Sequence, residues 1–236
     1  MGNSFAGQHA PALKLYYFPI EGKGAPIRML MRHLGYPFFV DYRFRDREEF
    51  ETMKAAGAFT FGQVPALEIK YQDGRREQLC QTNSILRFIG KIMPESGTYP
   101  SDPVQAALVD SIMDQEADMF MGLACSKYRE RLGYGSLDDD TVVKVRKDLN
   151  DEVIPRSLAF FENLLATSSS GWLASTPGPT ICDFLLAPRL DWLSNGGAGD
   201  GISLQILHKF PLLLTFLQKF NALPAVIAYL REQRTS

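Results

Sequence analysis

The pattern of apolar and polar positions predicts a strand, a helix and a second strand near the start of the chain. Residues 13–18 alternate and are rich in aromatic side chains, which is typical of a β-strand. A helical apolar period follows from Pro26 to Gly35, and residues 38–44 predict the second strand. Two strands separated by a helix are expected to lie parallel, with a right-handed crossover between them.

A hairpin and a further helix are predicted next. After a charged segment, residues 64–69 and 77–80 flank the turn Gln72-Asp73-Gly74, which indicates two antiparallel strands. The polar residues 81–84 then lead into a helical apolar period, a pattern typical of a helix N-terminus. The predicted order of elements is therefore β-α-β, a loop, and β-β-α.

The rest of the chain predicts helices only. Turn-forming residues are concentrated at positions 93–103, and residues 105–131 and 141–165 carry apolar side chains at helical spacing. Thr180 and Asp183 resemble a capping box before another helix, and Pro211 and Pro224 suit the first turns of two more. We therefore predict an α/β domain over residues 1–93 and an all-α domain over residues 104–236.

Composition and charge narrow the possible partners. The chain has 236 residues, of which 45% are hydrophobic and 22% charged, so it can bury a sizeable core. A net charge of −2 gives no basic surface for nucleic acid, and no apolar run is long enough for stable membrane insertion. The three cysteines show neither zinc-site nor disulfide spacing, which favours a reducing cytoplasm and no bound metal. The start, with Gly2 but with Ala6 where Ser or Thr is expected, only partly matches an N-myristoylation signal.

The segment Gly62-Gln63-Val64-Pro65 leads into the third predicted strand through a proline. Pro65 has no N–H, so it belongs at a strand entrance or an edge. A cis bond there would turn the backbone N–H and C=O of Val64 outward, where an extended peptide could pair as an added strand. The helix N-terminus at Thr82 suits a carboxylate. Together these features predict a pocket for a small anionic peptide, with an ordinary strand entrance as the alternative.

Several motifs, in their order and spacing, give the chain a family resemblance over residues 13–231. They are Tyr17-Phe18-Pro19-Ile20-Glu21-Gly22, Gly62-Gln63-Val64-Pro65, Gln81-Thr82-Asn83-Ser84-Ile85-Leu86-Arg87, Gln105-Ala106-Ala107-Leu108-Val109-Asp110, the cap at residues 180–183, and Phe210-Pro211-Leu212-Leu213. With them the chain resembles the tyrosine-type cytosolic glutathione transferases, which include the pi, mu, alpha and sigma classes. The resemblance implies a thioredoxin-like domain followed by an all-helical domain, the glutathione transferase fold.

The resemblance also implies a glutathione site, with glutathione as co-substrate. Tyr17 matches the catalytic tyrosine, whose hydroxyl hydrogen-bonds the glutathione sulfur. The backbone of Val64 would pair with the cysteinyl part, Gln81 and Thr82 would hold the γ-glutamyl end, and Lys54 and Phe50 would meet the glycine end. The full set of glutathione-binding residues that the resemblance implies is Tyr17, Lys23, Phe50, Lys54, Gln63, Val64, Pro65, Gln81, Thr82 and Asp118.

A second subunit and a second substrate site follow from the same resemblance. Asp118 matches an aspartate that reaches into the partner subunit's site, which implies a homodimer. Met121, Ala124 and Tyr128 would border the site for a small hydrophobic electrophile. Helical methionines and tyrosines belong to a protein core as often as to a substrate wall, and Asp118 by default is a solvated helix charge.

Some positions depart from the family pattern. Lys23 stands where an arginine is common, Thr82 where a serine is, and Phe50 where a tryptophan is. Lysine keeps the charge but loses the bidentate fork, and phenylalanine loses an N–H donor, so glutathione binding is expected to be weaker than typical.

Two classes of function remain open. One is an enzyme that conjugates glutathione to electrophiles in detoxification, or uses it for isomerisation or peroxide reduction. The other is a non-catalytic binding or interaction protein with the same fold. Tyr17 favours the enzyme, although it could be a plain strand aromatic; Tyr16 should point to the opposite face of the strand. Glutaredoxin-type chemistry is disfavoured because no cysteine follows the first strand.

Overall fold

The computed structural model describes residues 10–235, and they form two compact units. The first comprises residues 10–101 and 223–235 and contains a four-stranded sheet in the order β2-β1-β3-β4. Its strands are β1 (Ala12–Tyr17), β2 (Phe39–Arg43), β3 (Ala66–Lys70) and β4 (Arg76–Cys80). Its helices are α1 (Ala25–Leu34), α2 (Arg47–Ala55), α3 (Thr82–Ile92) and, from the end of the chain, α9 (Pro224–Thr235).

Strand pairing agrees with the sequence pattern. β1 pairs parallel to β2, as the strand-helix-strand order predicts, and antiparallel to β3, which forms the predicted hairpin with β4. α1 ends where expected, since Gly35 adopts the left-handed conformation (φ 59°) and its N–H bonds to Arg32 and Met31 carbonyls. Leu13 and Leu15 of β1 are buried in the core. The N-terminal unit is therefore the predicted thioredoxin-like α/β domain.

Helix α2 lies in the charged segment that was predicted as a loop, and that prediction was wrong. The Asp46 side chain accepts a hydrogen bond from the Glu49 N–H at 2.8 Å and caps the helix. Acidic residues occupy its first turn and Lys54 its last, which suits the helix dipole. Only Phe50 is buried, so the apolar period was too weak to reveal the helix.

The second unit, residues 102–222, is helical, and no strand occurs among its described residues. Its helices are α4 (Pro103–Lys127), α5 (Asp139–Asp148), α6 (Ile154–Thr167), α7 (Ile181–Ser194) and α8 (Pro211–Asn221). The segment predicted as one helix from residue 141 to 165 contains a π-helical turn, Leu149–Val153. Pro155 explains it, because proline lacks the N–H of a regular helical turn.

The capping box at the start of α7 is present and fully buried. The backbone N–H and the hydroxyl of Thr180 both donate to Asp183 Oδ2, at 2.7 and 3.0 Å, and the Leu173 N–H donates to Oδ1 at 3.0 Å. Burial nevertheless raises the pKa of Asp183 to about 6. The box fixes the start of α7 within the hydrophobic core of the second unit.

The last helix does not belong to the second unit. α9 packs on α1, where the Arg32 guanidinium donates to both carboxylate oxygens of Glu232, at 2.5 and 2.6 Å. Tyr229 of α9 is buried. α9 therefore lies in the first unit, together with residues 10–101.

Candidate functional site

β1 and β4 end, and β3 begins, at the same level of the sheet. Tyr16 of β1 is paired with Ala66 of β3, which in turn is paired with Cys80 of β4. The residues one position beyond this ladder are Tyr17, Pro65 and Gln81. The strand register therefore brings the three sequence motifs expected to bind glutathione to one edge of the sheet.

The side chain of Tyr17 lies against the glycine-containing loop that follows β1. The ring is only 8% exposed, and the Lys23 backbone N–H donates to its hydroxyl oxygen at 2.9 Å. A Cβ on Gly22 would come within 2.7 Å of that oxygen, and one on Gly24 within 2.5 Å of the ring. The loop can approach Tyr17 this closely only because both positions are glycine.

Arg28 of α1 anchors the loop after β1 through hydrogen bonds to its backbone carbonyls. Its role was not predicted from the sequence. Arg28 is 3% exposed, and its Nη1 and Nη2 donate to the carbonyls of Ile20 and Phe18, at 2.6 and 2.9 Å. Its Nε donates to Asp41, at 2.9 and 3.0 Å to the two oxygens. The guanidinium also lies 5.5 Å from the Tyr17 ring centre. An arginine within the first half of α1 gave no sequence signal for this role.

Gln81 and Thr82 begin α3 beside the same loop. Gln81 has a left-handed backbone (φ 73°), which is uncommon for a residue other than glycine, and its side chain makes no capping hydrogen bond. Thr82 is buried, and its hydroxyl donates to the Lys23 carbonyl at 3.2 Å. Lys23 thus joins Tyr17 to the start of α3 through its two backbone groups. A non-glycine residue held in this conformation is a feature of ligand-binding sites.

The Val64–Pro65 peptide bond is cis, and the loop before it is anchored to β4. The Gln78 side chain accepts hydrogen bonds from the Thr60 N–H and hydroxyl, both at 2.9 Å, and donates to the Ala58 carbonyl at 2.9 Å. Gln78 is a second positioning residue that the sequence analysis missed, since nothing in its local pattern indicates a loop contact.

Phe50 occupies an aromatic cluster of the first unit. Its ring is 5% exposed and lies 5.2 to 5.8 Å from the rings of Phe18, Phe44 and Phe59. The expected contact with the glycine end of glutathione remains a prediction, and burial leaves Phe50 little surface for it. Lys54 is exposed at the end of α2, with its ammonium 5.8 Å from the Phe50 ring centre and 3.7 Å from Glu51.

Four of the predicted site residues lie on α4 of the second unit. Asp118 is exposed, Met121 is 59% exposed, Ala124 is half-buried, and Tyr128, 46% exposed, caps the end of the helix. The last three are separated by three and four positions, so they share one face of α4. They form an exposed apolar stripe rather than part of the unit's core.

The described part of the chain shows neither a metal-binding cluster nor a single membrane-spanning helix. Among residues 10–235, no group of three or more His, Cys, Asp or Glu side chains could hold a metal ion. In the same range no single helix combines the length and apolarity of a membrane span; α8 and α9 meet those criteria only when counted together. Gly2 lies outside the described residues.

Comparison with known proteins identifies the family. The family model described as "Glutathione S-transferase, C-terminal domain" matches residues 132–233. Glutathione S-transferase 4 of Caenorhabditis elegans is 30% identical over 226 residues, 96% of this chain and 99% of the relative. The structure of prostaglandin synthase D of Nilaparvata lugens is similar at 26% identity and a TM-score of 0.75, covering 94% and 99% of the two chains. Monomeric Na-GST-3 of the hookworm Necator americanus is similar at 27% identity and a TM-score of 0.71, covering 93% and 96%. The chain therefore belongs to the glutathione S-transferase family.

Proposed function

We propose that this transferase activates the thiol of glutathione through the hydroxyl of Tyr17, for attack on small hydrophobic electrophiles. The observation that carries the proposal is the hydrogen bond from the Lys23 N–H to the Tyr17 oxygen. A hydroxyl that accepts such a bond becomes a stronger donor through its own O–H. Tyr17 also lies at the sheet edge where the Val64 backbone and the start of α3 meet.

The bound tripeptide would be held by both sides of that edge. The Val64 backbone would pair with the cysteinyl part, and Gln81 and Thr82 would bind the γ-glutamyl end at the N-terminus of α3, where N–H groups favour a carboxylate. Gln63 and Pro65 flank the pairing position. Lys54 would contribute a positive charge to the glycine carboxylate. Asp118 of a partner subunit completes the proposed site, in a cytoplasmic homodimer.

The electrophile would bind along the exposed stripe of α4. Met121, Ala124 and Tyr128 present apolar surface there, consistent with detoxification of hydrophobic compounds. A second candidate is glutathione-dependent isomerisation, which the likeness to a prostaglandin synthase from Nilaparvata lugens favours. Both reactions require the same thiolate, so the test of Tyr17 bears on both.

The Tyr17→Phe variant tests the proposal, because it keeps the ring and removes only the donor. A free thiol has a pKa of about 8.5, and a hydrogen bond to its charged form is worth about 1.5–3 kcal/mol, or one to two pKa units. The pKa of bound glutathione, followed by thiolate absorbance, should therefore rise in the variant. Conjugation at pH 6.5 should fall roughly ten- to a hundredfold, with glutathione affinity little changed.

Tyr16→Phe is the matched control. Tyr16 packs against Tyr42 and Phe59 on the other face of β1, so its hydroxyl is not expected to affect the thiol. Equal thiol pKa values and equal rates in the wild type and Tyr17→Phe would reject the mechanism. They would favour a non-catalytic binding or interaction protein of this family.

A further inference from the structure

The apolar stripe of α4 continues into an ordered turn that contains an arginine. After Tyr128 the chain forms a 3-10 turn, Glu130–Leu132, which ends at Gly133 in the left-handed conformation. Backbone hydrogen bonds from Leu132 to Tyr128 and from Tyr134 to Arg129, at 3.1 and 2.8 Å, close the turn. The side chains of Leu132 and Tyr134 are exposed, which extends the apolar surface beyond the helix end.

Arg131 lies over the ring of Tyr128 at the border of this surface. The centre of its guanidinium is 4.7 Å from the ring centroid, and the side chain is exposed to solvent. The ion pairs described for residues 10–235 include no carboxylate partner for Arg131. Its hydrogen-bond donors thus face solvent beside an aromatic ring of the proposed electrophile site.

The neighbouring charges are already engaged. Arg129 donates to the Leu137 carbonyl and to Asp139, at 2.6 and 2.9 Å. Asp138 accepts from the Thr141 N–H at 2.7 Å and caps α5. The Glu130 carboxylate lies against Gly135, where an added Cβ would come within 2.6 Å of it. Of the cations in this turn, Arg131 is therefore the one placed to bind an external anion.

We propose that the electrophile site prefers apolar substrates that carry a carboxylate, and that Arg131 binds this carboxylate while Met121 and Tyr128 contact the apolar part. A guanidinium fork matches a carboxylate in geometry, and a guanidinium can stack on an aromatic face while its N–H groups bind an anion. The proposal rests on the proposed transferase function and names a substrate class for the same site.

A matched pair of enals provides the test: (E)-12-oxododec-10-enoic acid and its methyl ester. In either compound the glutathione sulfur forms a bond to C10, the π electrons of C10=C11 move toward the aldehyde, and C11 takes a proton from solvent. No oxidant or reductant is needed. The acid should show a kcat/KM roughly three- to tenfold above that of the ester, a modest factor because Arg131 is exposed. Added salt should reduce this preference.

Variants of Arg131 assign the preference to this side chain. Arg131→Met should bring the ratio of acid to ester close to one by lowering kcat/KM for the acid, and Arg131→Lys should keep part of the preference. Arg156→Met, which removes an exposed positive charge on α6, is the control and should leave the ratio unchanged.

The remaining outcomes distinguish failure of the carboxylate preference from failure of the transferase function. Equal kcat/KM values for acid and ester in the wild type, or a preference that survives in Arg131→Met, would overturn the proposal and leave the transferase function intact. Conjugation of a neutral aromatic halide with no turnover of the acid would overturn it as well. Failure to conjugate any electrophile would defeat the transferase function, and this proposal with it.

Discussion

At the scale of single residues, Arg28 stabilises the loop that packs against Tyr17. It bonds the carbonyls of Phe18 and Ile20 while paired with Asp41, so a lysine in its place cannot make all three contacts. We expect Arg28→Lys to lower the free energy of unfolding by on the order of 3 kcal/mol. Conjugation should slow roughly tenfold at temperatures where the variant is folded, because the loop against Tyr17 loses its support. Thermal denaturation and initial rates provide the measurement.

Arg32→Lys is the control for that substitution. Arg32 lies one turn further along α1 and pairs with Glu232, but with both side chains partly exposed. An exposed pair of this kind contributes about 0–1 kcal/mol, so the control should change stability little and activity not at all. Equal effects of the two substitutions would mean that Arg28 acts only as one of several surface ion pairs.

Single residues also show where sequence reasoning reaches its limit. The motif around Pro65 predicted a strand entrance and allowed a cis bond there, and the structure has both. Gln81 was expected at a helix start, and it is there, but its left-handed backbone was not foreseeable because glutamine has no preference for that conformation. The contacts of Arg28 and Gln78 depend on residues distant in sequence, which no local pattern encodes.

At the scale of secondary structure elements, the capping box of α7 should give stability an unusual pH dependence. Burial raises the pKa of Asp183 to about 6, whereas an unfolded aspartate has a pKa near 3.9. The folded state therefore binds the proton more tightly, and the stabilisation is full below about pH 4 and is lost as pH rises through 6. The free energy of unfolding, wild type minus Asp183→Asn, should fall by on the order of 3 kcal/mol from pH 4 to 7.

The cap of α5 provides a control with the opposite sign. A hydrogen bond with Thr141 lowers the pKa of Asp138, which is exposed. Its stabilisation is thus present above its unfolded pKa and is lost as pH falls, so the advantage of the wild type over Asp138→Asn should grow with pH. Chemical denaturation from about pH 2 to 7 measures both, since the Asp138 contribution is lost below its unfolded pKa of about 3.9. If the Asp183 difference also grew with pH, its three hydrogen bonds would outweigh burial.

Helix α2 and the π-helical turn after α5 were not predicted, because capping residues and a proline mark them rather than an apolar period. α2 has few apolar residues, but Asp46 with Glu49 three positions later is a capping pattern that marks its start. Pro155 likewise marked the irregular turn between α5 and α6. Helices with a strong apolar face, such as α1 and α3, were predicted to within a few residues. Capping residues and prolines would have supplied the rest.

At the scale of the whole molecule, the path of the chain between its units was only partly predictable. The turn-rich segment at residues 93–103 predicted a linker, and the second unit begins at residue 102. α9 returns to the first unit through contacts with α1. An amphipathic helix shows which of its faces is buried but not which surface buries it, so the sequence placed α9 with its neighbours in the chain.

The last prediction concerns the homodimer. Phe61, in the loop before β3, is 61% exposed, and Asp118 is exposed on α4, so each is available to a second subunit. An aromatic ring of this size buries a large apolar area when it enters a protein–protein contact. We expect a dimer by sedimentation velocity at micromolar concentration and dissociation toward monomer in Phe61→Ser. Asp118→Ala should remain dimeric but bind glutathione more weakly, since its carboxylate would complete the partner's site.

Phe38→Ser is the matched control, because Phe38 is also an exposed phenylalanine of the first unit and lies before β2. It should leave the dimer intact, which would assign the effect of Phe61→Ser to its position rather than to the loss of an apolar ring. Na-GST-3 of Necator americanus is monomeric. A wild-type monomer with full glutathione affinity would refute both the dimer and the role of Asp118. The site would then consist of residues from one chain, with Tyr17, Val64 and Thr82 sufficient to hold the tripeptide.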